Sequence, residues 1–370
     1  MTRIRVLVVD DSVVIRKIVS DLLAEDPDIE VIGTAVNGRA GVQKAALLKP
    51  DLVTMDIEMP EMNGIEAVRE LRKQGMRMPI IMFSTLTERG AVATLDALAA
   101  GASDYVPKPA NVGSVGKSME QVREALIPRI KSLVPLRGGS ASARSAPAGV
   151  PAVPAAAPVL HAPAARPVGG HKLLVIGSST GGPEALATLF GSLPALPVPV
   201  AVVQHMPPLF TRQFAARLDR QFGFSVVEAE DGQPMGPGQV FIAPGDYHLE
   251  VVAGQRGLTT KLTQAPPENY CRPAVDVLFR SAVAAVGSSL LGVVLTGMGS
   301  DGAVGSRAIV DRGGSVLAQD QSTSVVWGMP GAVAAAGLAE QILPLAAIGP
   351  EIIRRLAPQQ AALAATGGRP

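Results

Sequence analysis

Three polar side chains in the second half of the chain have the types needed to hydrolyse an ester. Ser179 lies in a glycine-rich segment, residues 177–182, and His205 and Asp301 each follow a separate apolar run. A serine hydroxyl needs a base to attack a carbonyl carbon, and a neutral imidazole can take its proton. A carboxylate can orient the imidazole and stabilise its charged form. The three residues therefore predict a nucleophile, a base and an orienting acid.

Two further residues are candidates to support such a reaction. Glycines surround Asp301 in residues 297–302, and glycine lets backbone N–H groups come close to a developing oxyanion. Met298, within this turn, is the candidate oxyanion donor. Thr180, beside Ser179, is a candidate for positioning the substrate or the base. The Gly-x-Ser-x-Gly elbow of α/β-hydrolases is absent from the sequence, so the prediction does not depend on that motif.

Two other residues compete for the same roles. His248 is a second histidine inside the predicted fold, but its strand reads as peripheral, so we favour His205 as the base. Cys271 is an alternative nucleophile. Because no histidine accompanies it nearby in the sequence, we expect Cys271 to line the wall of the pocket instead.

A second set of reactive side chains lies in the first part of the chain. Asp10, Asp11 and Asp56 follow apolar runs that would be neighbouring strands in a sheet of order 2-1-3-4-5. Three carboxylates at one edge repel each other, and oxygen ligands with open coordination suit Mg²⁺. A carboxylate beside Mg²⁺ can attack phosphorus and form an aspartyl phosphate. Ser84 and Lys108 follow the next two strands and offer a hydroxyl and a positive charge to phosphate oxygens.

The elements between these side chains predict an α/β protein with two doubly wound parallel sheets, one flavodoxin-like and one Rossmann-like with a β-hairpin. In the first domain we expect strands at 4–9, 29–35, 52–55, 79–83 and 104–106, and helices at 13–23, 41–48, 64–74, 91–99 and 115–126. In the second we expect strands at 172–176, 200–203, 224–230, 239–242, 290–295 and 315–318, helices at 184–190, 210–222, 275–286 and 304–312, and a hairpin of 247–252 with 258–262.

The segment between the domains, residues 135–170, has a different composition. It contains seven prolines and eleven alanines and has no periodic apolar face. Such a composition is typical of a flexible, partly extended linker. The predicted organisation is therefore a first domain at 1–134, a linker at 135–170 and a catalytic domain at 171–370.

The overall composition excludes several classes of protein. With 33 basic and 32 acidic residues the net charge is +1, which provides no basic surface for nucleic acid. The single cysteine excludes an internal disulfide and fits a reducing compartment. The N-terminus enters a predicted strand directly, so we expect no signal peptide, and no apolar run has transmembrane length. We expect a cytoplasmic monomer that does not insert into membranes.

The first domain resembles response-regulator receiver domains over residues 1 to about 125. The family positions are occupied by Asp10-Asp11, Asp56-x-x-Met59-Pro60, Ser84 and Lys108-Pro109. The resemblance implies that Asp56 accepts a phosphoryl group from a chemotaxis histidine kinase, with Mg²⁺ bound by Asp10, Asp11 and Asp56. Tyr105 matches the aromatic residue that commonly shifts when a receiver is activated.

The second domain is similar to the catalytic domain of chemotaxis protein-glutamate methylesterases over residues 171 to about 357. The matching segments are 177–182, 204–208, 242–246 and 295–302. The serine, histidine and aspartate of that family fall on Ser179, His205 and Asp301. Residues 270–274 depart from the pattern, because a polar residue is expected before Arg272 and often a serine at position 274.

The two resemblances imply a phosphorylation-activated hydrolase without a cofactor in its catalytic domain. It would hydrolyse glutamate methyl esters on methyl-accepting chemotaxis receptors, releasing methanol, and deamidate receptor glutamines to glutamate. Phosphorylation of Asp56 would relieve an inhibition by the receiver. Two alternatives remain: a receiver-controlled nucleotide-binding protein, or a scaffold with an inactive hydrolase fold. Residues 177–182 lack the Gly-x-Gly-x-x-Gly spacing of dinucleotide sites, which disfavours the first.

Overall fold

The computed structural model describes residues 3–108, 115–135, 160–161 and 170–366. Its contacts divide the chain into two compact units, Met1–Ala156 and Ala157–Pro370. Most of the predicted linker lies outside the described residues, so the domain limits at 134 and 171 stay predictions. Among the described residues, no helix combines the length and the apolar character needed to cross a bilayer.

The first unit contains a five-stranded parallel sheet with helices between its strands. Its elements are β1 (Ile4–Val9), α1 (Val13–Ala24), β2 (Ile29–Ala35), α2 (Gly38–Leu48), β3 (Leu52–Asp56), α3 (Gly64–Lys73), β4 (Ile80–Ser84), α4 (Glu88–Ala99), β5 (Asp104–Pro107) and α5 (Val115–Leu133). The order β2-β1-β3-β4-β5 confirms the predicted doubly wound topology. Val9 lies opposite Met55, so Asp10 and Asp56 stand side by side at the ends of neighbouring strands.

The strands of this sheet are buried because helices pack against both of its faces. All residues of β3 and β4 are buried. On one face, Val6, Ile81 and Phe83 pack with Val19 of α1 and Leu126 of α5. The sheet therefore gives a rigid support to the side chains at its carboxyl edge.

Two helices of the first unit begin three residues earlier than the apolar pattern predicts. The Asn37 side chain accepts a hydrogen bond from the Ala40 N–H, and α2 begins at Gly38. The Thr87 hydroxyl accepts from the Gly90 N–H, and α4 begins with Glu88. Capping side chains satisfy N–H groups that have no partner inside the helix, and this effect sets both starting points.

The second unit contains a seven-stranded parallel sheet and a smaller antiparallel sheet. Its elements are β6 (Leu173–Ser178), α6 (Gly182–Gly191), β7 (Val200–Gln204), α7 (Pro208–Gln221), β8 (Ser225–Glu228), β9 (Pro234–Met235), β10 (Gln239–Ile242), β11 (His248–Gly254), β12 (Gly257–Thr263), α8 (Val275–Val286), β13 (Leu290–Val294), α9 (Ala303–Asp311), β14 (Ser315–Gln319), α10 (Met329–Ala335), β15 (Gln341–Leu343) and α11 (Leu345–Thr366). The three elements after β14 are not among those predicted from the sequence.

The strand order of the large sheet brings the candidate catalytic residues to one edge. The order is β15-β14-β13-β6-β7-β10-β8, so β6 lies between β13 and β7. Ser179 follows β6, His205 follows β7, and Asp301 lies in the loop after β13. The chain leaves β6 toward β7 on one side and returns through β13 on the other. Ligands of open α/β sheets bind at such a switch point.

The predicted hairpin is formed by β11 and β12, which pair antiparallel and are joined on one side by β9. His248 at the start of β11 is fully buried rather than peripheral. Its Nδ1 accepts from the Ala274 N–H and its Nε2 donates to the Pro266 carbonyl, at 3.2 and 3.1 Å. Both nitrogens are therefore engaged by backbone groups, which agrees with our preference for His205 as the base.

One position inside the predicted linker contacts the second unit. The His161 N–H donates to the Ala339 carbonyl at 2.9 Å, immediately before β15. His161 therefore belongs to the second unit, which begins at Ala157, although it lies within the predicted linker at 135–170. The proline- and alanine-rich composition of the segment does not predict this hydrogen bond, because backbone pairing does not depend on side-chain type.

Candidate active site

Ser179 lies in the turn that joins β6 to α6. Its N–H donates to the Thr296 carbonyl at 3.0 Å, and its own carbonyl accepts from the Gly182 N–H at 2.8 Å. Gly181 has a φ of +76°, a conformation that glycine adopts without a steric penalty. The turn therefore places the serine beside the amino end of α6, where backbone N–H groups favour negative charge.

Gln204, the last residue of β7, fixes this turn from the neighbouring strand. Its Oε1 accepts from the Ser178 hydroxyl at 2.7 Å, and its Nε2 donates to the Ser179 carbonyl at 2.9 Å. The His205 N–H donates to the Ser178 carbonyl at 3.1 Å, which ties the next residue to the same turn. No role for Gln204 is predicted from the sequence.

His205 and Asp301 form the central polar contact of the second unit. The His205 Nε2 lies 2.8 Å from Asp301 Oδ2, although 96 residues separate them in the sequence. Asp301 also accepts backbone N–H groups from Val275, Asp276 and Gly302, at 2.7, 3.0 and 3.0 Å. These donors belong to the amino ends of α8 and α9, so two helix termini converge on one carboxylate.

The electrostatic environment favours an ionised aspartate and a basic histidine. Burial raises the pKa of Asp301, but the contact with His205 and the N–H groups of Val275 and Asp276 outweigh it and lower the pKa. Burial lowers the pKa of His205, but hydrogen bonds to Asp301 and Cys271 outweigh it and raise the pKa to about 9. The imidazole is therefore a strong base once it has lost its proton.

Cys271 contacts the other nitrogen of the imidazole. Its Sγ lies 3.6 Å from His205 Nδ1. No histidine is near Cys271 in the sequence, but the fold brings His205 to it from 66 positions away. Among the described residues, Ser179 Oγ has no hydrogen bond with His205, whose two nitrogens face Asp301 and Cys271.

A second carboxyl group lies behind Asp301. The Asn269 Nδ2 donates to both Asp301 Oδ1 and Asp276 Oδ2, at 3.0 Å each. Asp276 is buried, and its Oδ1 accepts from the Gly305 N–H. Burial, together with the charge of Asp301, raises the pKa of Asp276 to about 6. Asn269 has a φ of +52°, in the left-handed region that asparagine tolerates better than most residues.

Met298 lies in a turn packed against Ser179. A Cβ on Gly297 would come within 2.9 Å of the Ser179 Cβ, so this backbone approaches the serine closely. The Gly297 carbonyl accepts from the N–H groups of Gly328 and Met329, at 3.0 and 2.8 Å. Within the described chain, the Met298 N–H itself has no hydrogen-bond partner. Its role as an oxyanion donor stays a prediction.

The loop before α10 supports this turn through Trp327 and Thr296. The Trp327 backbone pairs with Gly297, and its Nε1 donates to the Gln319 carbonyl at 3.0 Å. The Thr296 hydroxyl donates to the Thr180 carbonyl at 2.9 Å, while the Thr180 residue is 5% exposed. The structure therefore brings Thr180 beside the site, and its role there stays a prediction.

The first unit has a separate polar pocket at the carboxyl edge of its sheet. Carboxylate oxygens of Asp10, Asp11 and Asp56 lie within 4.8 Å of one another, with Asp11 exposed and the other two buried. The Lys108 Nζ lies 2.7 Å from Asp56 Oδ2 and 3.2 Å from Asp10 Oδ2. Three oxygen ligands at an open edge fit a small divalent cation such as Mg²⁺.

Burial has the largest effect on the pKa values of the buried carboxyl groups in this pocket. It raises the pKa of Asp56 to about 6, although the hydrogen bond and charge of Lys108 oppose the shift. Burial also raises the pKa of Asp10, again against the charge of Lys108. A second cation in the pocket would favour the ionised form of both carboxyl groups.

Ser84 ends β4, and Tyr105 is the second residue of β5, the two strands beyond β3 in the sheet. The Ser84 hydroxyl accepts from Thr94 Oγ1 at 2.6 Å and lies 3.3 Å from the Gly90 carbonyl, so it is engaged by α4. Tyr105 is buried, and this burial raises the pKa of its phenol. Pro109, which completes the Lys-Pro pair, lies outside the described residues.

Comparison with known proteins identifies both units. The family model described as CheB methylesterase matches residues 174–352, and the response regulator receiver domain model matches residues 6–119. A protein-glutamate methylesterase/protein-glutamine glutaminase of Nocardioides sp. is 75% identical over 367 residues, covering 99% of each chain.

The chain belongs to the protein-glutamate methylesterase/protein-glutamine glutaminase family. A member from Trichodesmium erythraeum is 45% identical over 357 residues, covering 96% of this chain and all of that protein. The crystal structure of the Thermotoga maritima CheB methylesterase catalytic domain is 44% identical, with a TM-score of 0.49, and covers 50% of this chain and 98% of that one.

Three residues near the site of this methylesterase family member have no predicted role, Gln204, Asn269 and Asp276, and the contact of Cys271 with His205 is not predicted from the sequence. Asp276 carries a weak signal, because an acid in the first turn of a helix is usual. Asn269 and Cys271 carry none, since their placement depends on a loop with left-handed residues at positions 269 and 270.

Proposed function

We propose that this chain is a phosphorylation-activated hydrolase that removes methyl esters from glutamates of methyl-accepting chemotaxis receptors. The observation that carries the proposal is the His205–Asp301 pair, 2.8 Å apart, at the strand edge that also holds Ser179. The names of the related proteins support the same reaction and add the deamidation of glutamine. The protein is proposed to act in the cytoplasm, where the receptor methylation sites and the kinase would meet it.

In the proposed mechanism Ser179 is the nucleophile. His205 takes the hydroxyl proton as the Ser179 oxygen attacks the ester carbonyl, and Asp301 stabilises the resulting imidazolium. The Met298 N–H and the amino end of α6 stabilise the oxyanion. Collapse of the tetrahedral intermediate releases methanol, which takes the proton back from His205. Water then hydrolyses the acyl-enzyme by the same steps, leaving glutamate and free serine.

The same site can deamidate glutamine. The side-chain amide presents a carbonyl of the same geometry, and the leaving group is ammonia instead of methanol. Proton donation by His205 matters more in this reaction, because an amine is a poorer leaving group than an alcohol. One triad therefore accounts for both activities in the family name.

Ser179 is favoured over Cys271 as the nucleophile by the donors around it. The Met298 turn packs directly against Ser179, and α6 begins three residues after it. An ester oxyanion formed at the serine would therefore lie beside the amino end of a helix, where backbone N–H groups favour negative charge.

In the receiver unit we propose that Asp56 accepts the phosphoryl group from a chemotaxis histidine kinase. Asp10, Asp11 and Asp56 would hold Mg²⁺, which neutralises charge on the transferring phosphoryl group when bound. Lys108 would contact a phosphoryl oxygen, and Ser84 would leave α4 to contact another. Tyr105 is proposed to shift as α4 and β5 respond, and phosphorylation would relieve inhibition of the hydrolase.

The test is methanol release from purified methylated receptor, with and without a small-molecule phosphodonor. Wild-type protein should release methanol faster with the phosphodonor, and Ser179→Ala should be inactive while Cys271→Ala retains measurable turnover. Loss of a triad member costs several orders of magnitude in rate. A fully active Ser179→Ala variant would reject the serine assignment. Nucleotide binding or a scaffold role would instead leave wild-type protein without esterase activity.

A further inference from the structure

The single cysteine of the chain contacts the imidazole at the nitrogen that has to act as the base. Because His205 Nε2 donates its proton to Asp301 Oδ2 at 2.8 Å, the lone pair of the neutral ring is on Nδ1. Cys271 Sγ lies 3.6 Å from this Nδ1. The sulfur therefore lies against the nitrogen that must take the Ser179 proton during attack.

The fold itself imposes the position of this thiol. Cys271 and Glu268 exchange two backbone hydrogen bonds, of 2.9 and 3.1 Å. The Glu268 carboxylate is held by both guanidinium nitrogens of Arg280 on α8, each at 2.6 Å. The adjacent Arg272 side chain is paired with Asp246. The segment that carries Cys271 is thus fixed at both ends to the body of the domain.

We propose that Cys271 is a positioning residue for His205, whose thiol binds Nδ1 in the resting enzyme and releases it to Ser179 when substrate arrives. The proposal rests on the proposed methylesterase function. Sulfur is a weak acceptor for the Nδ1–H of the charged ring, so once the ring is neutral a serine hydroxyl can replace it at small cost. The contact holds the ring in its productive orientation between turnovers without blocking the reaction.

The charged and titratable groups that face His205 are few. Asp301 lies on one side of the ring and Cys271 on the other, with Asp276 behind Asp301. The contacts with Asp301 and Cys271 both raise the pKa of His205. Removing the thiol should therefore lower the pKa of the base, whereas a cysteine that only lines the wall would leave it unchanged.

The first test compares pH profiles of the full-length wild type, Cys271→Ala and Cys271→Ser, each treated with the same phosphodonor. The value of kcat/KM for methanol release rises with pH as His205 loses its proton. In Cys271→Ala the midpoint of this rise should move to lower pH by roughly half a unit or more, the size expected for one lost hydrogen bond. Cys271→Ser keeps a hydrogen-bond acceptor and should fall between the other two. A midpoint shared by wild type and Cys271→Ala overturns the proposal.

The second test does not depend on turnover. The titration of the His205 imidazole is followed by NMR in the wild type and in Cys271→Ala, with His205→Gln identifying its resonance. Its midpoint should be lower in the alanine variant. Equal midpoints overturn the positioning role, even if the esterase is active. An inactive wild type with shifted midpoints rejects the proposed function and leaves the positioning role supported.

Alkylation gives a third readout, because the chain has only one thiol. The Cys271 thiolate displaces iodide from iodoacetamide, forming a thioether while the thiol proton passes to the buffer. Activity should fall in proportion to the single carbamidomethyl group incorporated, as the enlarged side chain crowds Nδ1. Cys271→Ala should resist the reagent. Full incorporation with unchanged activity would overturn the placement of this thiol on the base.

Discussion

Gly297 and Ser179 approach so closely that a Cβ on residue 297 would lie 2.9 Å from the serine Cβ. The same added carbon would overlap the sulfur of Met329, which is fully buried in the core. The turn that carries the Met298 N–H can therefore reach the serine only because residue 297 has no side chain. This contact also links the proposed oxyanion donor to the packing of α10.

The first prediction tests that contact with Gly297→Ala. The added methyl group must push the turn away from Ser179, and we expect a loss of about 10²-fold in kcat, as when an oxyanion donor is removed. Overpacking against Met329 should also lower the free energy of unfolding by about 1–3 kcal/mol. Gly191→Ala is the control, because its added Cβ would meet nothing closer than 3.4 Å. Full esterase activity in Gly297→Ala would remove Met298 from the mechanism.

The second prediction concerns the pH dependence set by His205 and Asp301. A base must be neutral to accept a proton, and the contacts described raise the pKa of His205 to about 9. The rate should therefore fall as the pH decreases from 9 toward neutrality. Asp301→Asn removes the carboxylate, so the midpoint should move to lower pH while the rate falls by about 10⁴-fold. The profile of kcat/KM measures both, and an unmoved midpoint would argue against the pair.

The third prediction concerns Asn269, whose amide bridges Asp301 and Asp276. Asn269→Gly removes the amide without strain, because glycine accepts a φ of +52°. We expect a loss of roughly 10–100-fold in kcat/KM, corresponding to a lost hydrogen bond to a charged group. Asn269→Ala should be equally slow and also less stable by about 1 kcal/mol, owing to its left-handed backbone. Thermal unfolding separates the two effects. A wild-type value of kcat/KM in the glycine variant would mean that the Asn269 bridge does not contribute to catalysis.

The fourth prediction concerns phosphorylation of the receiver. Asp56→Asn should take up no acid-labile phosphate from a phosphodonor, and removal of divalent cation should abolish uptake by the wild type. The reason is that Asp10 and Asp56 share a buried pocket whose one observed cationic neighbour is Lys108, within the described residues. Asp21→Asn is the control, since Asp21 is an exposed acid on α1 paired with Lys17. Equal labelling of the two variants would place the phosphate elsewhere.

The fifth prediction concerns control of the hydrolase by the receiver. Cleavage of the purified protein at an engineered protease site within residues 138–166 should raise methanol release in the absence of phosphodonor. A coupling of about 1.4 kcal/mol would suffice for a tenfold change in the population of the active form. The uncleaved protein carrying the same site is the control. A slower enzyme after cleavage would mean that the receiver activates by helping to bind substrate.

The sheets and their catalytic edges could be predicted from the sequence because buried parallel strands leave continuous apolar runs. Ser179 and His205 follow such runs directly and Asp301 lies in the loop after a third, so their convergence needs only the strand order. Helix starts were less accurate, because Asn37 and Thr87 set them by capping and not by apolar spacing.

The contacts around the base could not be predicted in the same way. Cys271 and Asn269 lie in an irregular segment between β12 and α8, where consecutive residues 269 and 270 have positive φ. No periodic pattern encodes such a path, and its position depends on the Glu268–Arg280 pair and on His248. The site was therefore predictable where strands carry it and unpredictable where this loop closes it.

Trp327 gives the protein a built-in optical reporter. It is the only tryptophan in the sequence, and its backbone pairs with Gly297, one residue before Met298. Indole emission responds to the polarity around the ring and to the hydrogen bond that its Nε1 makes, here with the Gln319 carbonyl. Movement of the Met298 turn during acylation, or after phosphorylation of Asp56, would therefore change the fluorescence of the unlabelled enzyme in real time.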